Sequence, residues 1–408
     1  MNATPKPRIA LWFRYGPAEH TDLFPAIPAV IEQLAQHAEV HYYGFKSDRA
    51  VPDRIARNAV VHDLPFHINR GSEKDKLRKT LLWYLLIPCI GLRCRLNGTR
   101  AVFIDESLPL MPLLARVFFG RNVACAVADF FLSVYADRSW LIRRCAGWIQ
   151  ACDRFAWRRV ACIFTRTKTA QRWLTEQGVP ADRVHPVYDP CDFDIYHPAD
   201  RAEARAQLEL PADAVILVHH GILHPNKGND RILRALAAER ERFPKLIYLL
   251  IGDGPDMARL RALADELQLT DRVRFTGWLK TLPEVNHALN AGDIGLVMRV
   301  GQPTDDFHLT GALVHSMACG LPVLAARLAG IAEVVEEDKN GLLFDARDLA
   351  DFPDQLERLY HDAALRQRLG NQALADAHTH FDIRRTTEEI VTPLLKLLEE
   401  RPTSNAQR

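Results

Sequence analysis

The stretch DDFHLTGALVHSMACGLPVLA, residues 305–325, passes from a polar loop through a short helix into a buried strand. Thr310 is a suitable N-cap for a helix that begins near Gly311, and Gly320 with Pro322 ends that helix sharply. The apolar run PVLAA that follows predicts a strand. A helix that starts with glycine offers unpartnered backbone N–H groups to an anion. The stretch therefore predicts an anion site beside the edge of a parallel sheet.

The same alternation of apolar runs and helical patterns extends along the whole chain, which predicts parallel sheets covered by helices. The predicted strands of the first part are 8–13, 39–43, 101–105, 123–129 and 161–165. Those of the second part are 214–221, 246–255, 273–278, 294–298, 322–326 and 341–345. The polar segment 188–207 is the natural linker.

The fold class that this pattern predicts is α/β, with two Rossmann-like doubly wound domains that face each other across a cleft. We expect the first domain at 1–200 and the second at 201–375. The segment 376–408 carries a last helix that we expect to cross back to the first domain. Ligands of such sheets bind beyond the carboxyl ends of the strands.

Composition excludes several classes of protein. The chain has 408 residues, of which 48% are hydrophobic and 25% charged, as in ordinary globular enzymes. Its formal net charge of +1 does not favour a nucleic-acid partner. The eight cysteines form no CxxC pair, and the N-terminus lacks a signal-peptide profile. We therefore expect a cytoplasmic protein without a structural zinc.

Two stretches of the first part of the chain combine aromatic or aliphatic residues with lysines and arginines. The apolar run 81–92 is too short to span a bilayer and is bracketed by lysines and arginines, and the segment 140–159 carries tryptophans among arginines. One interpretation is a core helix with basic ends. The other is a segment that lies on an anionic membrane, which would make the protein peripheral on the inner face of the cell membrane.

Glycine-bearing turns follow several predicted strands of the second part. After Gly221, the turn GILHPNKGNDR presents Lys227 and backbone amides to a phosphate, unless it is a plain turn with a solvated lysine. Gly252 and Gly254 allow a tight turn and the close approach of a ligand. Trp278 either flanks a nucleobase or belongs to the core.

The order and spacing of these motifs resemble the C-terminal half of GT-B glycosyltransferases of the family-4 type, the glycosyl transferases group 1. The matching segments are G-x-L-x-P-x-K-G at 221–228, IGDGP at 251–255, VRFTGWL at 273–279, SMACGLPVLAARLAGIAEVV at 316–335 and DPCDFDIYHP at 189–198. The resemblance implies a nucleoside diphosphate sugar as donor substrate, transfer with retention, and neither a cofactor nor a metal ion.

The chain departs from the family pattern at two places. Ile222 replaces an arginine that would bind a phosphate, so Lys227 is the remaining phosphate-binding cation of this motif. Either Arg299 or His224 is the expected substitute for the lost charge. His315 stands where the family has a glutamate that grips the ribose, and Phe307 stands in place of a second glutamate. His315 either binds a ribose hydroxyl through a ring nitrogen or is a buried helix histidine without a ligand. The remaining expected donor contacts are Asp306, His308, Thr310 and Gly311.

The first domain offers candidates for the acceptor side. Asp129 ends a predicted strand, where a carboxylate could orient the acceptor hydroxyl or take its proton. The other candidates end the preceding strand or occupy the first strand–helix loop: Arg14, Gly16, His20, Asp105 and Glu106. The carboxylates at 105 and 106 have the alternative interpretation of a helix cap.

The sequence therefore predicts a retaining, metal-independent glycosyltransferase in which Asp129 and Lys227 are the catalytic residues. The acceptor would be a glycan or lipid-linked hydroxyl in polysaccharide or cell-envelope synthesis. Two alternatives stay open. One is a sugar-nucleotide epimerase of the same architecture, and the other is a catalytically silent protein that binds nucleotide-sugar or acts as a scaffold in polysaccharide assembly.

Overall fold

The computed structural model describes residues 5–67, 73–105, 108–127 and 140–399. Contacts within the chain divide it into two units. Unit 1 comprises Met1–Tyr188 and Ile383–Arg408, and unit 2 comprises Asp189–Asp382. Each unit is built on one parallel sheet with helices on its faces, so the predicted α/β class with two doubly wound domains is confirmed.

The sheet of unit 1 is parallel throughout its described strands. These are β1 (Arg8–Trp12), β2 (Glu39–Lys46), β3 (Ala59–His67), β4 (Thr99–Asp105), β5 (Val123–Val127), β6 (Cys162–Thr165) and β7 (Val184–Pro186). They pair in the order β3-β2-β1-β4-β5-β6-β7. The helices are α1 (Pro17–Leu23), α2 (Ile27–His37), α3 (Asp53–Asn58), α4 (Glu73–Leu96), α5 (Met111–Phe119), α6 (Trp140–Trp157) and α7 (Lys168–Glu176).

Both faces of the unit 1 sheet are buried, because the side chains of a strand alternate between two apolar clusters. In β1, Ile9 and Leu11 point into one cluster, which includes residues of α2. Ala10 and Trp12 point into the other cluster, which includes residues of α4 and α5. A strand buried on both faces reads as a continuous apolar run, which is why β1 could be predicted from its sequence.

The last helix, α15 (Ile383–Glu399), follows unit 2 in the chain but belongs to unit 1. It packs against α2, and Ile390, Leu394 and Leu397 are buried in the same cluster as Ile9. The apolar spacing of this helix therefore serves the core of unit 1.

Unit 2 repeats the architecture with shorter connections. Its strands are β8 (Val215–His220), β9 (Leu246–Ile251), β10 (Val273–Gly277), β11 (Ile294–Val297), β12 (Val323–Ala326) and β13 (Gly341–Phe344). They form a parallel sheet in the order β10-β9-β8-β11-β12-β13. The helices are α8 (Arg201–Gln207), α9 (Asn229–Ala238), α10 (Met257–Glu266), α11 (Leu282–Asn290), α12 (Gly311–Ala318), α13 (Phe352–His361) and α14 (Ala363–Phe381).

The structure adds elements that the apolar runs do not predict. Strand β3 contains Pro65 and the polar pair His62-Asp63, which mask the pattern of a strand. Because β3 lies at the edge of its sheet, it tolerates a residue without a backbone N–H. The run 81–92 lies inside α4, which is a helix as both interpretations require. Within the described ranges, no helix is both long and apolar enough to cross a membrane.

We expect Leu394→Ala to destabilise unit 1, because the side chain is fully buried in the cluster that α15 shares with α2. Deleting a buried leucine costs about 2–5 kcal/mol of unfolding free energy. Chemical denaturation monitored by tryptophan fluorescence measures this loss. Lys396→Ala, an exposed position of the same helix, is the control and should change stability by less than about 0.5 kcal/mol.

Candidate donor site

The loops after β8 and β9 lie directly against each other at the carboxyl edge of the unit 2 sheet. The Leu223 N–H donates to the Asp253 carbonyl at 2.9 Å. A Cβ at Gly252 would lie 2.2 Å from the Gly221 carbonyl oxygen, and one at Gly254 would lie 2.2 Å from the Leu223 carbonyl oxygen. Glycine at 252 and 254 is therefore required by the close approach of a neighbouring backbone.

Gly221 differs from these two glycines. Its φ of 129° is shared with Gly252 (128°) and favours glycine, but a Cβ added at Gly221 would meet nothing within 4 Å. The backbone at Gly221 is thus accessible, as a nearby ligand would require. Ile222, which stands in the place of the family's arginine, is 58% exposed.

Trp278 follows the strand that pairs with β9 at this edge. Gly277 forms a bridge with Gly252, and the Trp278 side chain is 70% exposed. The core interpretation of Trp278 is therefore wrong, and its ring is accessible.

Lys227 ends a short 3-10 helix, Pro225–Lys227, immediately before α9. His224 caps this turn by accepting from the Asn226 N–H at 3.3 Å, and Gly228 adopts a φ of 66°. Burial is the main cause that lowers the pKa of His220 to about 4, and the charge of Lys227 contributes. The positive charge of Lys227 thus reaches His220 at the end of β8.

His315 lies on α12 with its ring held between aromatic neighbours. The ring stacks on Tyr196 with centroids 3.7 Å apart and planes at 8°, and it lies 5.1 Å from the His220 ring. A Cβ at Gly311 would be 3.5 Å from His315 Cε1, so the ring borders the first turn of the helix. Burial first, and then His220, lowers the pKa of His315 well below its ordinary value, so the ring is neutral.

Four buried polar atoms in this region have no hydrogen-bond partner among the described residues. They are Nε2 of His219, Nδ1 of His220, Oγ1 of Thr310 and Nδ1 of His315. Native proteins satisfy most buried polar atoms, and an unsatisfied one costs about 1–3 kcal/mol. Nδ1 of His220, Oγ1 of Thr310 and Nδ1 of His315 lie beside the first turn of α12 and call for a polar ligand there, whereas His219 points to the other face of β8.

The tautomer of His219 follows from its hydrogen bond to the sheet. Burial lowers the pKa of His219 to about 3, so its ring is neutral. Its Nδ1 lies 3.2 Å from the Leu296 carbonyl oxygen, an acceptor, and must therefore carry the proton. Nε2 is then an acceptor, and its matching partner is a hydroxyl or N–H donor.

The first turn of α12 supplies donors. Thr310 has the extended backbone of an N-cap, and its carbonyl accepts from the Leu313 and Val314 N–H groups at 2.9 and 3.2 Å. Its hydroxyl, however, does not cap the helix. The N–H groups of Gly311 and Ala312 precede the first intrahelical bonds and are oriented for an anion.

The loop before α12 is stabilised by its own charges. Arg299 Nε lies 2.6 Å from Asp305 Oδ1, and the two side chains are only 11% and 2% exposed. Asp306 accepts from the Ala329 N–H at 2.8 Å. Arg299 and Asp306, both predicted to contact the donor, thus hold loops in place here. His308 directly follows this turn, and its N–H donates to the Asp305 carbonyl at 3.2 Å.

The acceptor candidates in unit 1 lie partly outside the described residues. Arg14 donates to Thr80 Oγ1 at 3.2 Å and to the Tyr15 hydroxyl at 3.0 Å, and His20 stacks on Phe13 at 4.2 Å. All three of these contacts are internal to unit 1.

Gly16 is the N-cap of α1, where a Cβ would lie 2.8 Å from the Phe45 carbonyl oxygen. Asp105 ends β4 as predicted, but its side chain, Glu106 and Asp129 lie outside the described residues. No three His, Cys, Asp or Glu side chains within the described ranges are grouped to hold a metal ion.

Sequence reasoning did not select Tyr196, His219 or His220 as parts of the donor site. The only signal for the two histidines is their position at the end of β8, just before Gly221. Tyr196 belongs to the linker motif, and only the fold brings it against His315.

Comparison with known proteins gives a family match for part of the chain, which includes unit 2 residues of this site. Residues 200–376 match the model of the glycosyl transferases group 1. A D-inositol 3-phosphate glycosyltransferase of Acidothermus cellulolyticus is 33% identical over 257 residues, which are 60% of this chain and 55% of the relative. The lipopolysaccharide core biosynthesis glycosyltransferase LpsD of Rhizobium meliloti is 32% identical over 185 residues, 45% of this chain and 50% of the relative.

Solved structures match the fold over nearly the whole chain. HepE of Anabaena in complex with UDP-glucose has a TM-score of 0.68 at 19% identity, covering 95% of this chain and 99% of that one. Sucrose-phosphate synthase of Thermosynechococcus elongatus has a TM-score of 0.75 at 19% identity, with coverage of 96% and 99%. These matches confirm the GT-B fold class.

The resemblance predicted from the motifs is thus confirmed for residues 200–376, which match the glycosyl transferases group 1 model. The chain spans about half the length of the curated relatives that it matches.

We expect Gly254→Ala to destabilise unit 2, because its Cβ would lie 2.2 Å from a backbone oxygen that can move only with its loop. Overpacking of this kind costs about 1–3 kcal/mol, measurable by urea denaturation. Gly147→Ala in α6 is the matched control, since that Cβ would meet nothing within 4 Å. Equal stability of the two variants would contradict the close approach of the loops.

Acid should destabilise unit 2 through its buried histidines. His219 and His220 have folded pKa values of about 3 and about 4, below the ordinary 6.5. The unfolded state therefore binds more protons below pH 6.5, and stability present above that pH is lost as the pH falls toward 4. The thermal midpoint of His220→Gln should fall less steeply over this window than that of the wild type. If the thermal midpoints of His220→Gln and the wild type fell equally with pH, the low pKa of His220 would be contradicted.

Proposed function

We propose that the protein is a glycosyltransferase that moves a sugar from a nucleoside diphosphate sugar to an acceptor hydroxyl, with retention and without a metal ion. The observation that carries the proposal is the site at the carboxyl edge of the unit 2 sheet. There the first turn of α12 lies beside the unpaired polar atoms of His220, Thr310 and His315, and the charge of Lys227 reaches His220, within the segment that matches the group 1 model.

The donor would be held by two kinds of contact. The amides of Gly311 and Ala312 and the ammonium of Lys227 would bind the diphosphate, because both attract negative charge. His315 would accept a hydrogen bond from a sugar or ribose hydroxyl through a neutral ring nitrogen. Structures of HepE contain UDP and UDP-glucose, so a uridine diphosphate sugar is the first donor to test.

Catalysis would rest on the leaving group. As the bond between the anomeric carbon and the diphosphate oxygen breaks, negative charge grows on that oxygen. Lys227 and the α12 amides would bind this charge more strongly in the transition state than in the ground state. Asp129 would orient the acceptor hydroxyl and take its proton.

The acceptor that we propose is a hydroxyl of a lipid-linked glycan in cell-envelope synthesis, reached by a protein that is peripheral on the inner face of the cell membrane. Support comes from relatives named for such pathways, namely LpsD and the lipopolysaccharide glycosyltransferase WaaG, the latter at a TM-score of 0.67 and 15% identity.

Lys227→Ala should weaken both nucleotide binding and sugar transfer. Loss of a charged hydrogen bond of about 1.5–3 kcal/mol corresponds to about a ten- to a hundredfold weaker affinity for UDP. For the wild type, ligand at 100 times its dissociation constant raises stability by about 2.7 kcal/mol, which a thermal shift detects. Lys245→Ala is the control, because Lys245 pairs with Asp213 at the start of β9, at the opposite edge of the sheet.

The measurement compares UDP, GDP, ADP, CMP and TDP with their sugars on both variants and the wild type. A shift with one nucleotide that Lys227→Ala loses and Lys245→Ala keeps supports the donor site. The scaffold alternative would be supported by two results together. A nucleotide would shift the thermal midpoint without turnover of any donor, and the Lys227→Ala variant would still complement a deletion of the gene. The absence of a shift with every nucleotide would contradict the proposal.

A further inference from the structure

Unit 1 exposes an unusual amount of apolar surface on three adjacent helices. Helix α5 packs against α4 on one side and against α6 on the other, so the three form one layer over the sheet. The exposed large apolar side chains of this layer are Leu81, Leu85, Leu92, Leu96, Val117, Trp140, Trp148 and Phe155, each between 48% and 78% accessible. We call this surface the α4–α6 face.

The leucines of α4 form one continuous stripe. Leu81, Leu85, Leu92 and Leu96 recur at spacings that return to the same side of a helix. The opposite side of α4 already fills the core, where Trp83, Ile87, Ile90 and Cys94 are buried. The exposed stripe is therefore not needed for the packing of unit 1.

The aromatic residues of α6 also share one side of their helix. Trp140, Trp148 and Phe155 recur after about two turns each. Arg144 lies over the Trp140 ring at 6.0 Å, and Arg159 lies over the Phe155 ring at 3.9 Å. Each of these pairs places an apolar aromatic ring beside a positively charged guanidinium group.

The described exposed charges of the α4–α6 face are positive. Its exposed arginines on and beside the three helices are Arg78, Arg93, Arg95, Arg143, Arg144, Arg158 and Arg159. The acidic side chain described within the three helices is Asp153, which is 2% exposed and accepts from the Leu110 N–H at 2.7 Å. It points into unit 1, so no described carboxylate of these helices offsets the arginines at the surface.

The combination of apolar side chains and exposed arginines indicates which kind of partner can bind the α4–α6 face. A second copy of the chain would bring arginines against arginines, which is unfavourable. A nucleic acid would satisfy the charges but leave the leucine stripe in water. An anionic bilayer satisfies both, because aromatic and aliphatic side chains enter the interface while arginines contact the phosphates.

We propose that the α4–α6 face docks on the surface of a membrane rich in anionic phospholipids. The purpose of the docking rests on the proposed function: it would bring the enzyme to a lipid-linked acceptor. The binding itself is a separate property of unit 1 and can be measured without any substrate.

The test uses the full-length protein and vesicles of phosphatidylcholine, with and without phosphatidylglycerol. The wild type should sediment with the anionic vesicles at low salt and be released near 1 M salt, where the screening length is about 3 Å. The variants Arg143→Glu with Arg144→Glu, and Leu85→Ser with Trp148→Ser, should each weaken vesicle binding at least tenfold. The matched controls in unit 2, Arg234→Glu and Leu282→Ser, should bind as the wild type does.

Several outcomes would overturn the proposal. These are no binding to anionic vesicles at low salt, equal binding to neutral vesicles, and equal loss in the control variants. A dimer in solution that Leu85→Ser dissociates, without vesicle binding, would assign the face to a second copy instead. Thermal shifts with UDP on the same samples keep the two proposals apart. The vesicle variants should retain the shift, and Lys227→Ala should retain vesicle binding, so either proposal can fail alone.

Discussion

The donor site depends on the close approach of two backbone loops at the carboxyl edge of unit 2. The loop after β8 donates from Leu223 to Asp253, and the Leu223 carbonyl accepts from the Asp256 N–H at 3.1 Å, where α10 begins. Side chains at 252 and 254 would separate these loops. Because these glycines allow the two loops to pack closely, the turn that carries Lys227 is supported by the loop after β9. The N–H of Gly221 donates to the Ile251 carbonyl at 2.9 Å, and the space beside its Cα is open.

The electrostatics of the site follow from burial. A carboxylate at position 315 would place a negative charge beside the first turn of α12, where the diphosphate is proposed to bind. The neutral imidazole of His315 adds no such charge, and stacking on Tyr196 restricts its ring to one plane. Neutral ring nitrogens accept weaker hydrogen bonds than carboxylates do. Compared with a carboxylate at position 315, His315 would bind a ribose hydroxyl more weakly but would repel the diphosphate less. Lys227 supplies the positive charge near His220.

The sequence predicts those parts of the structure that depend on local patterns. Strands buried on both faces, such as β9, are apolar throughout and are recognisable, whereas the edge strand β3 is not. The glycine positions of the donor site were identified, but their physical reason was not, since it lies in a neighbouring loop. Arg299 reads as a free cation in the sequence because its partner Asp305 depends on the conformation of the turn between them. The stacking of Tyr196 on His315 joins distant segments and has no local signal.

The same argument explains why the α4–α6 face could not be assigned from its sequence. Helix α4 is apolar on both sides, so its pattern fits a core helix and an interfacial helix equally well. The structure separates the two sides: Trp83 and Ile87 are buried, whereas Leu85 and Leu92 are exposed. A soluble surface normally breaks such a stripe with charges of both signs. Here the charges beside the stripe are arginines, and Asp153 is turned inward to the Leu110 N–H. An exposed apolar stripe that is flanked by arginines has its natural complement in a surface with an apolar interior and anionic headgroups.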